Sequence, residues 1–499
     1  MDLLANIEAG LLTAIAGYNL FYCFLGVFLG MLIGVVPGIG ALAAISMLFP
    51  ITYHLEPTSA LIMLAGIFYG TAYGGSTAAI LLNVPGTPSS AIVCLDGYPM
   101  AKQGRAGVAL FMTTLSSFVA GSIGIVLMMI FSPLIVNAAR HFNSAEYFSL
   151  MILGLIAAST ISSGSTLKAI SMVVLGILFG TVGMDMYTGV PRFNFGTLDL
   201  MDGLSLVAFA MGLFGMAEVI SSIGIVQPGE VRKVSWRSML PTRSDVSRSI
   251  LPTLRGTAIG SFFGTLPGTG ATIASFMSYA LEKRVAKDPS RFGQGAIEGV
   301  VAPEAANNAA DQTAFIPTMT LGIPGSATMA LLLGVLIVHG ISPGPLVMVQ
   351  HPEMFWGLVM SFWIGNVMLV VLNIPLIGIW VRLLQVPYHY LYPAITMFIL
   401  IGVYSVNRSI FDVWIVLFFG LTGYAIRVLG FPAAPLLLGF VLGPLLEEHF
   451  RRAMLLSQGD LMTFVERPVS GVIMAITFLI LIWSVRQARS KDREGSLSS

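Results

Sequence analysis

Residues 260–271 read GSFFGTLPGTGA, and residues 30–41 read GMLIGVVPGIGA. Shifted by 230 positions, Gly30, Gly34, Pro37, Gly38, Gly40 and Ala41 fall on Gly260, Gly264, Pro267, Gly268, Gly270 and Ala271. Proline has no backbone donor and glycine loses the most conformational entropy on ordering, so a helix running through either stretch stops at the Pro-Gly-x-Gly motif. A hydrophobic segment broken in the same way twice points to an internal repeat.

The composition says what medium surrounds that repeat. Hydrophobic residues make up 56% of the 499 positions and charged residues 10%, with a mean hydropathy of +0.87. A soluble domain carries about 25% charged residues. Many apolar runs here reach the ~20 residues that span a bilayer as helix, and the ~10-residue alternating segments of a membrane barrel are absent. The sequence predicts an all-α polytopic membrane protein in a lipid bilayer. The net charge of +1 gives no footing for a nucleic-acid partner. Cys23 and Cys94 sit in apolar surroundings, and two such thiols make neither a disulfide framework nor a metal site. The opening MDLLANIEAG has two acids and no base, unlike the positive start of a secretory signal peptide, so it is expected to be retained.

Charge sets the topology. Ten of the 25 lysines and arginines fall in two stretches, 228–255 and 281–294. The positive-inside rule puts both in the cytoplasm. The apolar segment 256–280 lies between them and contains the break, so it should enter the membrane, turn and leave as a re-entrant hairpin. The first copy, about 22–53, has the opposite flanks: residues 1–21 and 53–57 hold no lysine or arginine. It should enter from the outer, periplasmic face, which makes the repeats inverted. The expected division is a first repeat over 1–227, a basic cytoplasmic linker over 228–255, and a second repeat over 256–446. A periplasmic connection, a last span and a cytoplasmic tail fill 447–499. Each repeat holds a hairpin, an interrupted crossing (58–95 or 296–340) and about four further spans. The C-terminus, with Arg486, Arg489, Lys491 and Arg493, lies inside.

Both crossings carry a second shared break. Residues 83–89 read NVPGTPS and 322–328 read GIPGSAT, so Pro85-Gly86-Thr87 matches Pro324-Gly325-Ser326. The two breaks lie 48 residues apart in the first copy (Pro37 to Pro85) and 57 in the second (Pro267 to Pro324), a true repeat that has accepted insertions.

Unwound backbone at membrane depth is tolerated only where protein or water satisfies it. Each break frees the N–H groups and partial positive charge of the next helix start, together with carbonyls from the helix before it. Inverted repeats with broken helices are the pattern of secondary transporters, in which anions meet helix N-termini and cations meet carbonyls. The expected substrate site, for an anion, comprises Asn83, Pro85, Gly86, Thr87, Ser89, Thr269, Gly325, Ser326 and Thr328. The expected coupling-ion site, for Na+ or H+ and with no other metal or cofactor, comprises Gly38, Gly40, Gly268, Gly270, Asn308 and Asp311. The last two belong to the polar run EGVVAPEAANNAADQT at 298–313, where Glu304, Asn307 and Gln312 are further candidates. None of the four break motifs contains lysine or arginine. Gly26, Gly30 and Gly34, spaced by four, form a small-residue face suited to helix packing.

The stretches GVVPGIGA (34–41), YGGSTAAILLNVPGTPSS (73–90), DGYPMAKQGRAG (96–107), GTLPGTGATIASF (264–276), residues 298–334 and PAAPLLLGFVLGPLLEE (432–448) carry a resemblance. Across most of 20–450 the chain resembles the large membrane subunit of the tripartite tricarboxylate transporter family, the TctA type. That resemblance implies a bacterial inner-membrane, ion-coupled importer of carboxylates, with a small membrane subunit and a periplasmic solute-binding protein as partners. It singles out no one organic acid. The rival classes are a channel or exporter of small organic anions and a membrane-embedded enzyme. Against an enzyme, the six histidines form no HExxH, and no DxxxD pair occurs. GIGALA at 38–43 loosely matches a dinucleotide fingerprint but lies in the wrong context.

Overall fold

The computed structural model describes residues 3–36, 39–139, 141–161, 165–185, 187–223, 236–266, 270–383 and 388–497. The strands among them form one two-residue ribbon, Gly183–Met184 against Pro191–Arg192, and helix makes up most of the rest. Five helices are long and apolar enough to cross a bilayer: Gly17–Val35, Ala106–Ala139, Pro352–Asn373, Ile410–Val428 and Ala433–Leu456. Their outer faces are apolar too. Trp414, Phe418 and Leu421, and on the last helix Phe478, Leu479 and Trp483, are all more than half exposed. Rows of large apolar side chains face outward where lipid receives them. The chain is an all-helical, multi-pass membrane protein.

Two helices occupy the centre. Every residue from Ser59 to Leu81 in Pro57–Leu82 is buried, as is every residue from Gly299 to Thr313 in Glu298–Thr313. Helices covered on all sides form the core around which the others pack. Each is flanked by a helix pair with a break between its members. Gly17–Val35 and Ala41–Thr52 pack on the first, and Arg243–Gly264 and Gly270–Val285 pack on the second. The bases of the second pair are tied by Arg255, whose Nε and Nη2 donate to the two carboxylate oxygens of Glu282 at 2.5 and 2.7 Å.

The glycine face read at 26, 30 and 34 is a packing seam. A Cβ added at Gly26, Gly30 or Gly34 would lie 2.2, 2.4 or 2.5 Å from the carbonyl oxygen of Met63, Ile67 or Thr71. The second copy repeats it: a Cβ added at Gly256, Gly260 or Gly264 would lie 2.3, 2.1 or 2.4 Å from the carbonyl oxygen of Ala302, Ala306 or Ala310. The glycines correspond at an offset of 230 and their partners at 239. Backbones this close leave no room for a side chain.

The crossings also break alike. Pro57–Leu82 stops at Asn83 with φ 59°, and Phe315–Leu321 stops at Gly322 with φ 71°. Both are left-handed C-terminal caps, a conformation that glycine and asparagine tolerate best. Val84 and Ile323 each precede a proline, which disfavours helical backbone and keeps the break open. The chain then restarts at Thr87, as the short turn Pro88–Val93 and the helix Cys94–Lys102, and at Ser326, as Ala327–Val338.

Ala106–Ala139, Ser144–Ile161, Thr166–Gly180 and Leu206–Ser222 follow the first crossing. Pro345–Gln350, Pro352–Asn373, Ile377–Leu383, Tyr388–Asn407, Ile410–Val428 and Ala433–Leu456 follow the second, so the span expected over 355–384 is divided near residues 374–376. Three boundaries also differ from the sequence reading. Leu3–Ile15, read only as a flank, is a helix docked on Pro352–Asn373, where Gly10 lets the Trp356 backbone approach to 2.6 Å of its absent Cβ. The first arm of the second pair begins at Arg243, capped by Thr242 and Asp245, so the end of the 228–255 linker is helical. Ala433–Leu456 runs past residue 446 because its mixed charges are paired: Arg451 with Glu447 at 2.7 Å and Asp185 at 2.9 Å, and Arg192 with Glu447 at 2.9 Å.

The halves also meet through Asp96, which is fully buried. Its Oδ1 accepts the backbone N–H groups of Gly293, Gly295 and Ala296 at 2.8–2.9 Å, and its Oδ2 accepts the Tyr279 hydroxyl at 2.9 Å. At the same end Arg105 donates to Asp245 at 2.5 Å. Burial alone would push the Asp245 carboxyl up, but the Thr242 N–H, the Thr242 hydroxyl and Arg105 outweigh it and hold it below its usual value.

Candidate functional site

Both breaks of each half open onto one cavity of about 560 Å³. From the helix pairs come Gly40–Ala43 and Gly270–Thr272; from the crossings come Pro85–Ser89 and Ser326–Thr328. The starts of Ala41–Thr52, Gly270–Val285 and Ala327–Val338 therefore face the same space, joined by the turn that restarts at Thr87. Each start leaves N–H groups without intrahelical partners, so the wall carries partial positive charge from several directions.

The hydroxyls here already act as caps. Ser326 Oγ accepts the Met329 N–H at 3.3 Å, while Thr87 and Ser90 form a capping box with Thr87 Oγ1 3.1 Å from Ser89 Oγ. A hydroxyl that accepts still has its own proton to give. Ser326 thus holds its helix start and keeps an O–H donor for a guest.

Of the residues expected to bind substrate, Pro85, Gly86, Thr87, Ser89, Ser326 and Thr328 line the cavity. Asn83 is not in its wall; it is exposed and serves as the left-handed cap. Gly325 lies just behind the wall, its missing Cβ 3.6 Å from the Gly264 carbonyl. Of the coupling-ion residues, Gly40, Gly270 and Asp311 line the cavity. Asn308 turns away from it and donates to Ser117 Oγ at 2.8 Å and to the Glu304 carbonyl at 3.0 Å. Pro37, Gly38, Pro267, Gly268 and Thr269 lie outside the described residues.

Asn307 also reaches the cavity wall. It is 1% exposed, and neither amide atom has a hydrogen-bond partner among the described residues. One turn earlier, outside the cavity wall, both carboxyl oxygens of Glu304 are likewise buried, with the hydroxyls of Ser76 and Ser117 as their polar neighbours among the described residues. Buried polar groups without partners are costly, and such groups beside a cavity suit a guest that supplies the missing bonds. Glu304, Asn307 and Asp311 share one face of Glu298–Thr313 by their spacing of three and four.

Two charged residues in the wall are absent from the sequence-based site. Arg427, in the last turn of Ile410–Val428, donates from Nη1 to Glu218 Oε2 at 2.8 Å, and both residues line the cavity. Each lies within or at the end of an apolar run, and a lone charge in such a run is itself a pointer to a functional site. Phe68 and Phe214 supply apolar wall, and Thr272 adds a hydroxyl.

The chain is 48% identical over 495 residues, 98% of its own length and 99% of the relative's, to an uncharacterized 52.8 kDa protein in the TAR-I ttuC' 3' region of Agrobacterium vitis. It is 52% identical over 236 residues, 46% of its length and 98% of the relative's, to an uncharacterized protein in the TAR-II ttuC' 3' region of the same organism. No solved structure matches it. The profile of the tripartite tricarboxylate transporter TctA family matches residues 20–438. The breaks, the seams and the cavity all fall inside that match, and the chain belongs to the tripartite tricarboxylate transporter TctA family.

Proposed function

We propose that this chain is the large membrane subunit of a secondary, ion-coupled importer of carboxylates. It works in the bacterial inner membrane with a small membrane subunit and a periplasmic solute-binding protein, its C-terminus in the cytoplasm. The observation that carries the reading is the single cavity on which restarted helices from both halves converge. A carboxylate there would take N–H and O–H donors at Thr87, Ser89, Ser326 and Thr328, with Thr269 from the second tip. Backbone donors bind an anion without burying a base. Asp311, Asn307 and Glu304 stand beside it for the coupling ion, Na+ or H+, with carbonyls freed at the tips.

The two broken pairs act as re-entrant hairpins of opposite sense, one reaching the cavity from each side of the membrane, within inverted repeats. The glycine seams tie one arm of each hairpin to its own crossing, which favours movement of hairpins and crossings as one body against the remaining spans. The test is uptake into proteoliposomes holding the large and small membrane subunits, with the binding protein outside. Accumulation of labelled citrate, succinate or another organic acid above its outside concentration, driven by a Na+ or H+ gradient, is expected. Equilibration without accumulation, indifferent to both gradients, would make the protein a channel.

A further inference from the structure

The wall of the cavity holds one base among its described residues, Arg427, and two acids, Glu218 and Asp311. With all three ionised the side chains sum to a negative charge, a poor match for an anion unless the base can be released to it. Arg427 is well placed for that. Its guanidinium has five N–H donors, and the bond to Glu218 uses Nη1; no other partner for it occurs among the described residues. The Arg427 side chain is 59% exposed, whereas that of Glu218 is 17% exposed and held in its helix by Ser222. The pair is not needed to join the two helices. Gly212 and Gly423 already bring them to backbone contact, with absent Cβ atoms 2.8 Å from the Val416 carbonyl and 2.6 Å from the Leu213 carbonyl. An ion pair so exposed adds little to stability.

Building on the carboxylate reading, we propose that Arg427 is a specificity-determining residue: it leaves Glu218 to grip a second carboxylate of a substrate whose first carboxylate sits at the helix starts. A planar guanidinium matches a carboxylate with two parallel N–H bonds, whereas its present bond to Glu218 uses a single nitrogen. Glu218 then acts as the resting partner that competes with substrate. The site would in this way select acids with at least two carboxylates over those with one.

The test uses the full chain purified in detergent, with thermal stabilisation titrated by citrate, succinate and acetate, alongside citrate uptake by the reconstituted complex. Arg427→Gln should weaken citrate and succinate at least tenfold and leave acetate within twofold, so discrimination collapses. Arg427→Lys should fall between, keeping charge and losing the fork. Glu218→Gln should act in the opposite direction, holding or tightening citrate because the competing partner is gone. A merely structural pair would make Arg427→Gln and Glu218→Gln alike in sign, and that result overturns the proposal. So does unchanged discrimination in a folded Arg427→Gln. If Arg427→Gln fails to fold, the sign of the Glu218→Gln effect decides. Should none of the three acids stabilise the native chain, the carboxylate reading itself falls, an outcome distinct from stabilisation that ignores Arg427.

Discussion

Gly260→Ala should be among the most damaging single-methyl additions in this protein. The added Cβ would lie 2.1 Å from the Ala306 carbonyl oxygen, against backbone on both sides that cannot rotate away. A comfortable carbon–oxygen separation is about 3.3 Å, so the helices must part by about 1.2 Å. Overpacking of this kind costs about 1–3 kcal/mol, and each Cα–H···O interaction broken along the seam adds about 0.5–1 kcal/mol. A loss of about 2–4 kcal/mol, at about 2–4 °C per kcal/mol for a large chain, lowers Tm by about 5–15 °C. Gly30→Ala in the first copy, with its Cβ 2.4 Å from the Ile67 carbonyl, should cost a similar amount. Gly17→Ala is the control, since nothing lies within 4 Å of its Cβ and helical alanine is favoured over glycine. Unfolding of the purified chain in detergent, followed by tryptophan fluorescence or by retention on size exclusion after heating, gives the three midpoints. If Gly30→Ala and Gly260→Ala melt with Gly17→Ala, the seams are not close backbone packing, and the hairpin arms need not travel with their crossings.

Other parts of the molecule can be tested in the same way. Thr87→Ala and Ser326→Ala each remove a cap worth about 1 kcal/mol and a donor in the cavity, so uptake should fall while the protein remains folded; full uptake in both variants would detach these hydroxyls from the site. Asp96→Asn replaces an acceptor of three backbone N–H groups by an amide that can satisfy fewer of them. It should open the 286–297 connection to limited proteolysis and lower Tm, and an unchanged digestion pattern would argue against the anchor. In a chain with Cys23 and Cys94 replaced, cysteines at Arg248 and Lys287 should label only from the cytoplasm and one at Glu56 only from outside; opposite sides for 248 and 287 would end the re-entrant reading.

Much of the architecture is legible in the sequence because the repeat is written in residue types with few structural alternatives. Glycines at 26, 30, 34, 256, 260 and 264 mark positions that admit no Cβ. The Pro-Gly pairs at 85 and 324 mark breaks that backbone constraints alone would place there. The motifs reveal the breaks but not that Asn83 serves as the left-handed cap. Asn83 resembles a ligand because it is polar beside a break; its φ of 59° assigns it the turn instead. Asn308 looks equivalent to its neighbour, yet a single step along the helix rotates a side chain by about 100°. That step sends Asn307 to the cavity and Asn308 to Ser117. The helix at Leu3–Ile15 is hard to see because its 13 residues are too few to cross a bilayer, with no acid in its first turn and no base in its last.

Arg427 escapes a reading built on the breaks for a different reason: it lies far from all four of them in sequence, and only its place as a lone charge at the end of an apolar run marks it. The four break motifs contain no lysine or arginine, which on its own favours recognition by backbone dipoles alone. Such dipoles come from fixed helix starts and attract any carboxylate, so by themselves they separate one organic acid from another poorly. Discrimination needs a second point of attachment at a set distance, and that point must come from an element remote in sequence. Glu218 and Arg427 lie 209 positions apart in the chain, and both line the cavity from helices that contain none of the four breaks. If hairpins and crossings travel as one body while these helices stay fixed, Arg427 meets the substrate only in the part of the cycle where the cavity abuts it. Selection would then occur on one side of the membrane, and release on the other would be freed from it. An importer needs that asymmetry, because a grip equal on both faces would slow delivery as much as it aids capture.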